Sequence, residues 1–353
     1  MTQTNLPMPD DPPASSTTIP DPGSNKGVAL RQMLRPVSKY LSNNDVREIT
    51  IPRPGTIFIR VKGYWQEESA PELTFDYLKA LVATMASYNN VNFSPIMSLK
   101  LLDGERGQVM QPPAVLDDTI SLNIRKHSSI VKTLDELTDE GAFSNWRDTS
   151  DPPHDLARVS PIDKRLLELK EQGDMRAFLE YAVLNHKNII IGGKTGSGKT
   201  TFARSLIERI PVRERLVTIE DVHELFLPNH PNRVHLIYGK GAGQVSATEC
   251  VEACMRSSPD RIFLSELRGA EAWEYLAALN TGHPGSITTI HANSARDIFD
   301  RVAMLIKQSV AGNQIDISTL RNYLYATLDI ALYFANYTLS EVYFTPLRSS
   351  APA

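Results

Sequence analysis

A phosphate-binding loop is the feature that most constrains how this chain can fold. Residues 193–200 read Gly-Lys-Thr-Gly-Ser-Gly-Lys-Thr, which matches the pattern G-x-x-x-x-G-K-S/T. The apolar residues 189–191 before the loop predict a buried strand, and the apolar residues after it recur at helical spacing as far as Pro211. Because the glycines let backbone N–H groups turn inward and the helix presents its positive N-terminal end, this strand, loop and helix predict a triphosphate site.

The loop motif also assigns roles to two of its side chains. We expect Lys199 to reach the β- and γ-phosphates of ATP and Thr200 to place its hydroxyl on Mg²⁺. The predicted nucleotide-binding residues of the loop are Gly193, Lys194, Thr195, Gly196, Ser197, Gly198, Lys199, Thr200 and Thr201.

Length, charge and cysteine content limit the remaining possibilities. A chain of 353 residues suggests two domains with tails. The formal net charge of −4 gives no overall positive field that would draw the chain to nucleic acid. The two cysteines, Cys250 and Cys254, are too few for a disulfide scaffold. Since no second ligand pair lies nearby at metal spacing, they predict buried thiols rather than half of a metal site.

Composition and periodicity predict four segments. Residues 1–25 are rich in Pro, Asp, Ser and Thr and predict a disordered tail rather than a signal peptide. Residues 26–140 predict a small α+β N-terminal domain, and the Pro-containing residues 141–165 predict a linker. Strands alternate with helices over 166–353, which predicts an α/β domain with a mainly parallel sheet and helices on both faces. No run of 18 apolar residues occurs, so we expect no transmembrane segment.

Carboxylates at the ends of two apolar strands are candidates for hydrolysis. A phosphate loop binds nucleotide, but hydrolysis also needs a group that orients or deprotonates water and a holder for Mg²⁺. The predicted strand at 216–219 is followed by Glu220 and Asp221, and the predicted strand at 261–264 leads to Glu266. Because ligands of open α/β sheets bind at the carboxyl ends of strands, we expect these carboxylates to serve the nucleotide site, by catalysis or by holding the metal ion, although each alone could be a solvated acid at a strand end.

A histidine follows a third predicted strand. His291 comes directly after the strand at 287–290, which is rich in β-branched residues. Its imidazole could donate a hydrogen bond to phosphate, which would make it a sensor of the γ-phosphate. A structural histidine is the alternative, and position alone does not decide between the two.

Four blocks of sequence resemble the secretion ATPase superfamily in their order and spacing. They are similar to its Walker A motif, acidic box, Walker B motif and histidine box, and they lie at 193–201, 218–224, 261–269 and 280–293. Within that superfamily, the last block most resembles the traffic ATPases of type IV secretion and conjugation systems. Short motifs in the first domain are also similar to that family, at 51–55, 104–106, 111–113 and 124–126.

The resemblance implies a fold, an assembly and a place in the cell. It implies a RecA-like C-terminal ATPase domain, preceded by the smaller α+β N-terminal domain, in a homo-hexameric ring with one ATP site per subunit between the two domains. Such ATPases are peripheral proteins at the cytoplasmic face of the inner membrane and power substrate transfer or pilus assembly. The implied partners are inner-membrane components, other ATPases of the secretion machinery and an exported substrate, with DNA and protein both open.

The resemblance also implies roles for single residues. It assigns hydrolysis to Glu220 and Glu266, and sensing of the γ-phosphate to His291. Arg106 and Arg125 would reach the nucleotide phosphates from the N-terminal domain, although surface salt bridging is the alternative for both. Three further arginines are candidates for phosphate or interface contacts: Arg256, Arg261 and Arg268.

Three other functions remain open. A type II secretion or type IV pilus motor belongs to the same superfamily, but many type II members carry a four-cysteine zinc module, and this chain has two cysteines. A nucleotide-gated docking scaffold with little turnover would not need the carboxylates of Glu220 and Glu266, so their presence argues against this function. A nucleic-acid motor is disfavoured by the acidic net charge and by the lack of clusters that combine aromatic and basic residues.

Overall fold

The chain divides into two compact units, residues 1–128 and residues 129–353. The computed structural model describes residues 21–61, 64–126, 131–152, 159–239 and 244–346. Within these ranges no helix is both long enough and apolar enough to cross a bilayer. The architecture is mixed α/β, as the sequence predicts.

The first unit is built on an antiparallel sheet of six strands. These strands are β1 (Val46–Arg53), β2 (Gly55–Val61), β3 (Tyr64–Ala70), β4 (Ile96–Lys100), β5 (Arg106–Met110) and β6 (Ser121–Arg125). They lie in the order β3–β2–β1–β6–β5–β4. The helices of this unit are α1 (Asn25–Met33), α2 (Ser38–Leu41) and α3 (Phe75–Tyr88). Leu78, Leu81 and Met85 recur at helical spacing along α3 and bury one face of the helix in the core of the unit.

The second unit contains the remaining strands and helices. Its strands are β7 (Arg147–Asp148), β8 (Ile189–Gly192), β9 (Leu216–Glu220), β10 (Arg233–Ile237), β11 (Arg261–Leu264), β12 (Ile287–Ile290), β13 (Ile330–Ala335) and β14 (Thr338–Tyr343). Its helices are α4 (Leu134–Asp139), α5 (Pro161–Glu171), α6 (Met175–Leu184), α7 (Lys199–Ile207), α8 (Ala247–Met255), α9 (Glu271–Asn280), α10 (Asp297–Ile306), α11 (Val310–Asn313) and α12 (Ile317–Thr327).

Mainly parallel strands make up the sheets of the second unit. One sheet has the order β12–β8–β13–β14–β7 and another the order β10–β9–β11, and a bridge between Leu267 and Ile290 connects them. The neighbouring strands are parallel apart from the β13–β14 hairpin. In β8, Ile189 and Ile191 pack in one apolar cluster and Ile190 in a second. Both faces of this strand are therefore covered, as expected for a buried parallel strand.

The boundary between the two units lies between residues 128 and 129, whereas the sequence predicted that the first domain ends at residue 140. Leu134 and Leu137 of α4 pack in a core cluster of the second unit. Within the predicted linker 141–165, β7 pairs with β14, and α5 begins at Pro161. A strand of two residues and a helix of six carry too little periodicity for the sequence to reveal them.

The predicted tail, residues 1–25, overlaps the first helix. Residues 1–20 lie outside the described ranges. The chain turns at 21–24, where the Ser24 hydroxyl accepts a hydrogen bond from the backbone N–H of Gly27. The helix begins before residue 26 because a side-chain cap, rather than apolar periodicity, sets its first residue.

Cys250 and Cys254 are buried thiols in α8, as predicted. Both pack in the same apolar cluster of the second unit. Burial raises the pKa of both thiols, and that of Cys254 to about 12. Since the thiolate is the reactive form, these side chains are inert at neutral pH.

Arg261, a candidate for phosphate or interface contacts, is a buried structural residue instead. Its side chain is 0% exposed, and its guanidinium forms a two-pronged ion pair with Glu214, with N–O distances of 2.6 and 3.2 Å. The same group donates to the carbonyl oxygens of Val183 (2.8 Å) and Gly285 (3.3 Å). The sequence prediction was wrong because the carboxylate that pairs with Arg261 lies 47 positions away.

We expect Arg261→Met to lower the free energy of unfolding of the second unit by about 3–5 kcal/mol, because it leaves the Glu214 carboxylate without its partner. Urea unfolding followed by circular dichroism measures the change. Arg301→Ala removes an exposed guanidinium from α10 and is the control, with an expected cost below about 0.5 kcal/mol. Equal losses in the two variants would contradict the structural role of Arg261.

Candidate functional site

The predicted phosphate loop connects β8 to α7. Gly196 and Gly198 have positive φ angles of 75° and 97°, and α7 begins directly after Gly198 without a side-chain cap. A Cβ atom at Gly198 would lie 2.8 Å from the ring of Tyr337, so both the backbone conformation and the available space require glycine there. The uncapped N–H groups at the start of α7 are suited to binding an anion.

The ammonium group of Lys199 lies inside this loop. Its Nζ donates to the carbonyl oxygens of Gly193 (2.8 Å) and Lys194 (2.9 Å). Ser197 Oγ is buried and has no hydrogen-bond partner in the described part of the chain, and Thr200 lies in the first turn of α7. Because an unsatisfied buried hydroxyl costs free energy, the loop fits a ligand that supplies acceptor oxygens, as phosphate does.

A continuous chain of polar contacts links the loop to two other strand ends. His291 has its Nδ1 3.3 Å from the carbonyl oxygen of Gly193 and its Nε2 2.8 Å from Oε1 of Glu266. Arg268 Nε donates to Oε2 of Glu266 (2.6 Å), and the same guanidinium pairs with Asp221. The structure therefore brings together the loop, His291 and Glu266, which the sequence places after three different strands.

The ion pairs of Arg268 fix the orientation of the Glu266 carboxylate. Burial lowers the pKa of Arg268, but the carboxylates of Glu266 and Asp221 outweigh burial and raise it above its usual value. The guanidinium is therefore charged at neutral pH. Sequence reasoning marked Arg268 for phosphate or interface contacts and did not anticipate these two acidic partners.

Glu220 lies in a second network at the neighbouring strand end. Its side chain is 0% exposed, and Oε2 accepts hydrogen bonds from the backbone N–H groups of Glu224 (2.6 Å) and Leu225 (2.7 Å). Oε1 accepts from the hydroxyl of Thr218 (2.6 Å) and faces two imidazole rings. Burial raises the pKa of Glu220, but the hydrogen bonds outweigh burial and lower it, so the carboxylate is ionised at neutral pH.

The two imidazoles beside Glu220 belong to His223 and His235, which sequence reasoning missed. His223 lies within the acidic box, just after β9, and this position could have marked it as a residue near Glu220. His235 comes from β10, and only the strand pairing brings it close. Asp221 follows Glu220 in the chain and pairs with Arg268, which also contacts Glu266. Two adjacent residues at the end of β9 therefore belong to two different networks.

Arg106 and Arg125 are cross-strand neighbours in the first unit. They are directly paired in the antiparallel register of β5 and β6, so their side chains point to the same face of the sheet. Glu48 on β1 lies 4.0 Å from the Arg125 guanidinium and also pairs with Arg60. The two arginines place positive charge on this face and Glu48 neutralises part of it, so the contact of Arg125 is of the salt-bridge kind that was the alternative to a phosphate role. The phosphate role of each arginine stays a prediction, and the sequence did not reveal their pairing in the register.

Sequence comparison relates the chain to secretion proteins. The family model described as "Type II/IV secretion system protein" matches residues 161–325. The type IV secretion system protein VirB11 of Brucella suis is 36% identical over 348 residues, which cover 94% of this chain and 95% of that protein. VirB11 of Bartonella quintana is 38% identical over 341 residues, which cover 92% of this chain and 96% of that protein.

Comparison with solved structures gives a consistent result. The crystal structure of the VirB11 ATPase from the Brucella suis type IV secretion system, in complex with sulphate, matches with a TM-score of 0.51 and 36% identity. The match covers 90% of this chain and 98% of that one. The pilus retraction motor PilT with bound ADP matches with a TM-score of 0.57 over 89% of this chain and 83% of that one. Its 18% identity supports a shared fold alone.

Proposed function

The chain belongs to the VirB11 family of type IV secretion system proteins and is an ATP hydrolase, and we propose that it works as a hexameric motor. ATP hydrolysis would power substrate transfer or pilus assembly in a type IV secretion or conjugation system. The observation that supports this best is the contact chain from Gly193 through His291 to Glu266, which joins the phosphate loop to a fixed carboxylate. Purified protein should release phosphate from ATP only with Mg²⁺, and absence of release at every protein concentration would contradict the proposal.

The proposed domain layout follows from the family and from the sheet order. We propose that the second unit is a RecA-like ATPase domain and that the first unit contains the smaller α+β N-terminal domain. The buried parallel strands β12, β8 and β13 support the first assignment, since they set the phosphate loop at their carboxyl ends. The antiparallel sheet of the first unit supports the second.

The loop Gly193–Thr201 fits a triphosphate bound together with Mg²⁺. Three groups of the loop can donate hydrogen bonds to phosphate oxygens. They are the uncapped N–H groups at the start of α7, the buried Ser197 hydroxyl and the Lys199 ammonium. We propose that Lys199 reaches the β- and γ-phosphates and that Thr200 places its hydroxyl on Mg²⁺. The bound ion would neutralise negative charge on the transferring phosphate. The loop would therefore orient the nucleotide and hold its charge.

Glu266 is the carboxylate best placed for a role in hydrolysis. His291 contacts one of its oxygens and Arg268 the other, so the group has a fixed orientation. A fixed carboxylate near the loop can accept a proton from water or hold water bound to Mg²⁺. We propose that His291 exchanges its contact with Gly193 for one with the γ-phosphate and thereby senses ATP.

We propose Glu220 as the second acidic residue of the site. Hydrogen bonds hold its carboxylate in one orientation and keep it ionised. A second ionised carboxylate at a neighbouring strand end could hold water molecules bound to Mg²⁺. Its contribution to turnover would be smaller than that of Glu266, because Glu266 is linked to the phosphate loop through His291.

Arg106 and Arg125 are proposed to reach the nucleotide phosphates from the N-terminal domain. Their pairing on one face of the sheet supports an anionic ligand. Because arginines stabilise a closed state only by contacting phosphate that an open state leaves free, ATP would favour closure of the domains. We propose that these composite sites lie in a ring of six subunits.

The proposed cellular role follows from the family. The protein would act in the cytoplasm as a peripheral protein at the cytoplasmic face of the inner membrane. Its partners would be inner-membrane components and other ATPases of the secretion machinery. Its cargo would be an exported substrate, either DNA or protein.

His291→Ala should lower the rate of ATP turnover by about 100-fold, because the γ-phosphate loses a hydrogen-bond donor during hydrolysis. Affinity for ADP should stay within about twofold, since ADP has no γ-phosphate for His291 to contact. Steady-state phosphate release and fluorescence titration with labelled ADP measure the two quantities. An equal loss of ATP and ADP binding would identify a structural histidine instead.

The purified protein should form hexamers, and a nonhydrolysable ATP analogue with Mg²⁺ should increase their fraction. Ligand that binds the closed, assembled form more tightly shifts the equilibrium toward it. Multi-angle light scattering measures the mass with and without the analogue. A monomeric mass across micromolar concentrations in the presence of nucleotide would contradict the ring.

A further inference from the structure

Two histidines and one carboxylate converge on one face of the small parallel sheet. Thr218 and Glu220 are two residues apart on β9, so their side chains point to the same face. His235 on β10 is paired with Thr218 in the register, and His223 follows β9 by three residues. His223, His235 and Glu220 offer ligand atoms that all lie within 4.8 Å of one another.

The distances from Glu220 to the two imidazoles match a metal coordination shell. Oε1 of Glu220 lies 3.2 Å from Nδ1 of His223 and 3.3 Å from Nδ1 of His235. With Zn–N and Zn–O bonds of about 2.0–2.1 Å, the edge of a tetrahedron of ligands is about 3.3 Å. A small cation could therefore bind between the three atoms, in place of the 2.8 Å contact between Nδ1 of His235 and the Thr218 hydroxyl.

We propose that Glu220, His223 and His235 form a binding site for a divalent transition-metal ion, with Zn²⁺ as the best fit. Two imidazoles and one carboxylate favour Zn²⁺ or Co²⁺ over Mg²⁺, which prefers oxygen ligands alone. The ion would replace the protons that Nδ1 of each ring otherwise donates. Three protein ligands leave a fourth position for water.

The surroundings of Glu220 support this assignment. Its Oε2 is held by the backbone N–H groups of Glu224 and Leu225, and the Thr218 hydroxyl donates to Oε1, so outer hydrogen bonds orient the ligand as they do around protein-bound metals. The side chains of His223 and His235 are 36% and 22% exposed, while that of Glu220 is 0% exposed. An ion can therefore enter from the histidine side.

Arg204 is a positive group near this site, and its charge opposes a cation. Its guanidinium interacts with Glu220, but also with the carboxylates of Glu208 and Glu224. The two further carboxylates offset its repulsion of a divalent ion. Without a metal, the same three residues would form an ordinary hydrogen-bonded cluster, and measurement of binding distinguishes the two cases.

The test uses full-length, nucleotide-free protein from which metal has been removed by a chelator. Titration with Co²⁺, followed by visible absorption, should show one ion per chain with the intense spectrum of four-coordinate cobalt, and Zn²⁺ but not Mg²⁺ should displace it. Binding in the absence of nucleotide is independent of any role of Glu220 in hydrolysis. Saturation without dependence on the two histidines, or no saturable binding at micromolar concentrations, would overturn the proposal.

Matched variants assign the site. His223→Ala and His235→Ala should each weaken Co²⁺ binding by more than about 100-fold, because loss of a direct ligand exceeds the loss of an outer partner. His186→Asn is the control, since it removes a partly exposed imidazole elsewhere, at a positive φ that asparagine tolerates. If His235→Ala fails to fold, the more exposed His223 decides alone, and unchanged affinity in its alanine variant would reject the site.

Discussion

Lys199→Ala should reduce phosphate release from ATP by about 100-fold or more, one of the two largest effects that we expect from a single substitution. In the structure the Lys199 ammonium donates to the carbonyl oxygens of Gly193 and Lys194 in the phosphate loop. With ATP bound, the same charge would face the β- and γ-phosphates, where negative charge must be held during transfer. Steady-state phosphate release at saturating ATP and Mg²⁺ measures the effect.

The matched control for this variant is Lys164→Ala. Lys164 is an exposed lysine of α5, so its removal changes the net charge equally and leaves the loop intact. Circular dichroism should show that both variants keep the fold. If Lys199→Ala released phosphate at nearly the rate of the unchanged protein, the phosphate loop would not be part of the active site.

Glu266→Gln should retain ATP affinity within about threefold and lower turnover by about 100- to 1,000-fold. Glutamine keeps the size of the side chain, but it removes the negative charge that would polarise water or support Mg²⁺. The amide oxygen can still accept from His291 or Arg268, so the local geometry should persist. Single-turnover hydrolysis and equilibrium binding separate the chemical step from affinity.

Glu252→Gln, at an exposed position of α8, is the control and should change neither quantity. The decisive result is how the effect divides between binding and turnover. A tenfold loss of nucleotide affinity with unchanged turnover would show that Glu266 serves binding and not hydrolysis.

Features carried by adjacent residues could be predicted from the sequence. The phosphate loop is contiguous, and its glycines, lysine and flanking apolar runs indicated a strand, a loop and a helix, which the structure has at β8 and α7. The placement of Glu266 and His291 after strands also follows from local patterns. Parallel strands that end at one edge then bring such residues together, which is why His291 contacts both Glu266 and the loop.

Features that depend on distant pairing could not be predicted. His235 reaches Glu220 only through the register of β9 and β10. Arg261 has a charged side chain that suggested a ligand contact, yet its partner Glu214 lies in a different segment and the pair is buried. The limits of the units are also set by packing, since short elements such as β7 carry no periodic signal of their own.

A structure of the purified protein with a nonhydrolysable ATP analogue and Mg²⁺ tests the central proposal most directly. We predict that Lys199 Nζ and the N–H groups of residues 196–200 contact the β- and γ-phosphates, with Mg²⁺ on the Thr200 hydroxyl. Glu266 and His291 should face the γ-phosphate. A triphosphate bound away from this loop, or a γ-phosphate that neither Glu266 nor His291 approaches, would contradict the account.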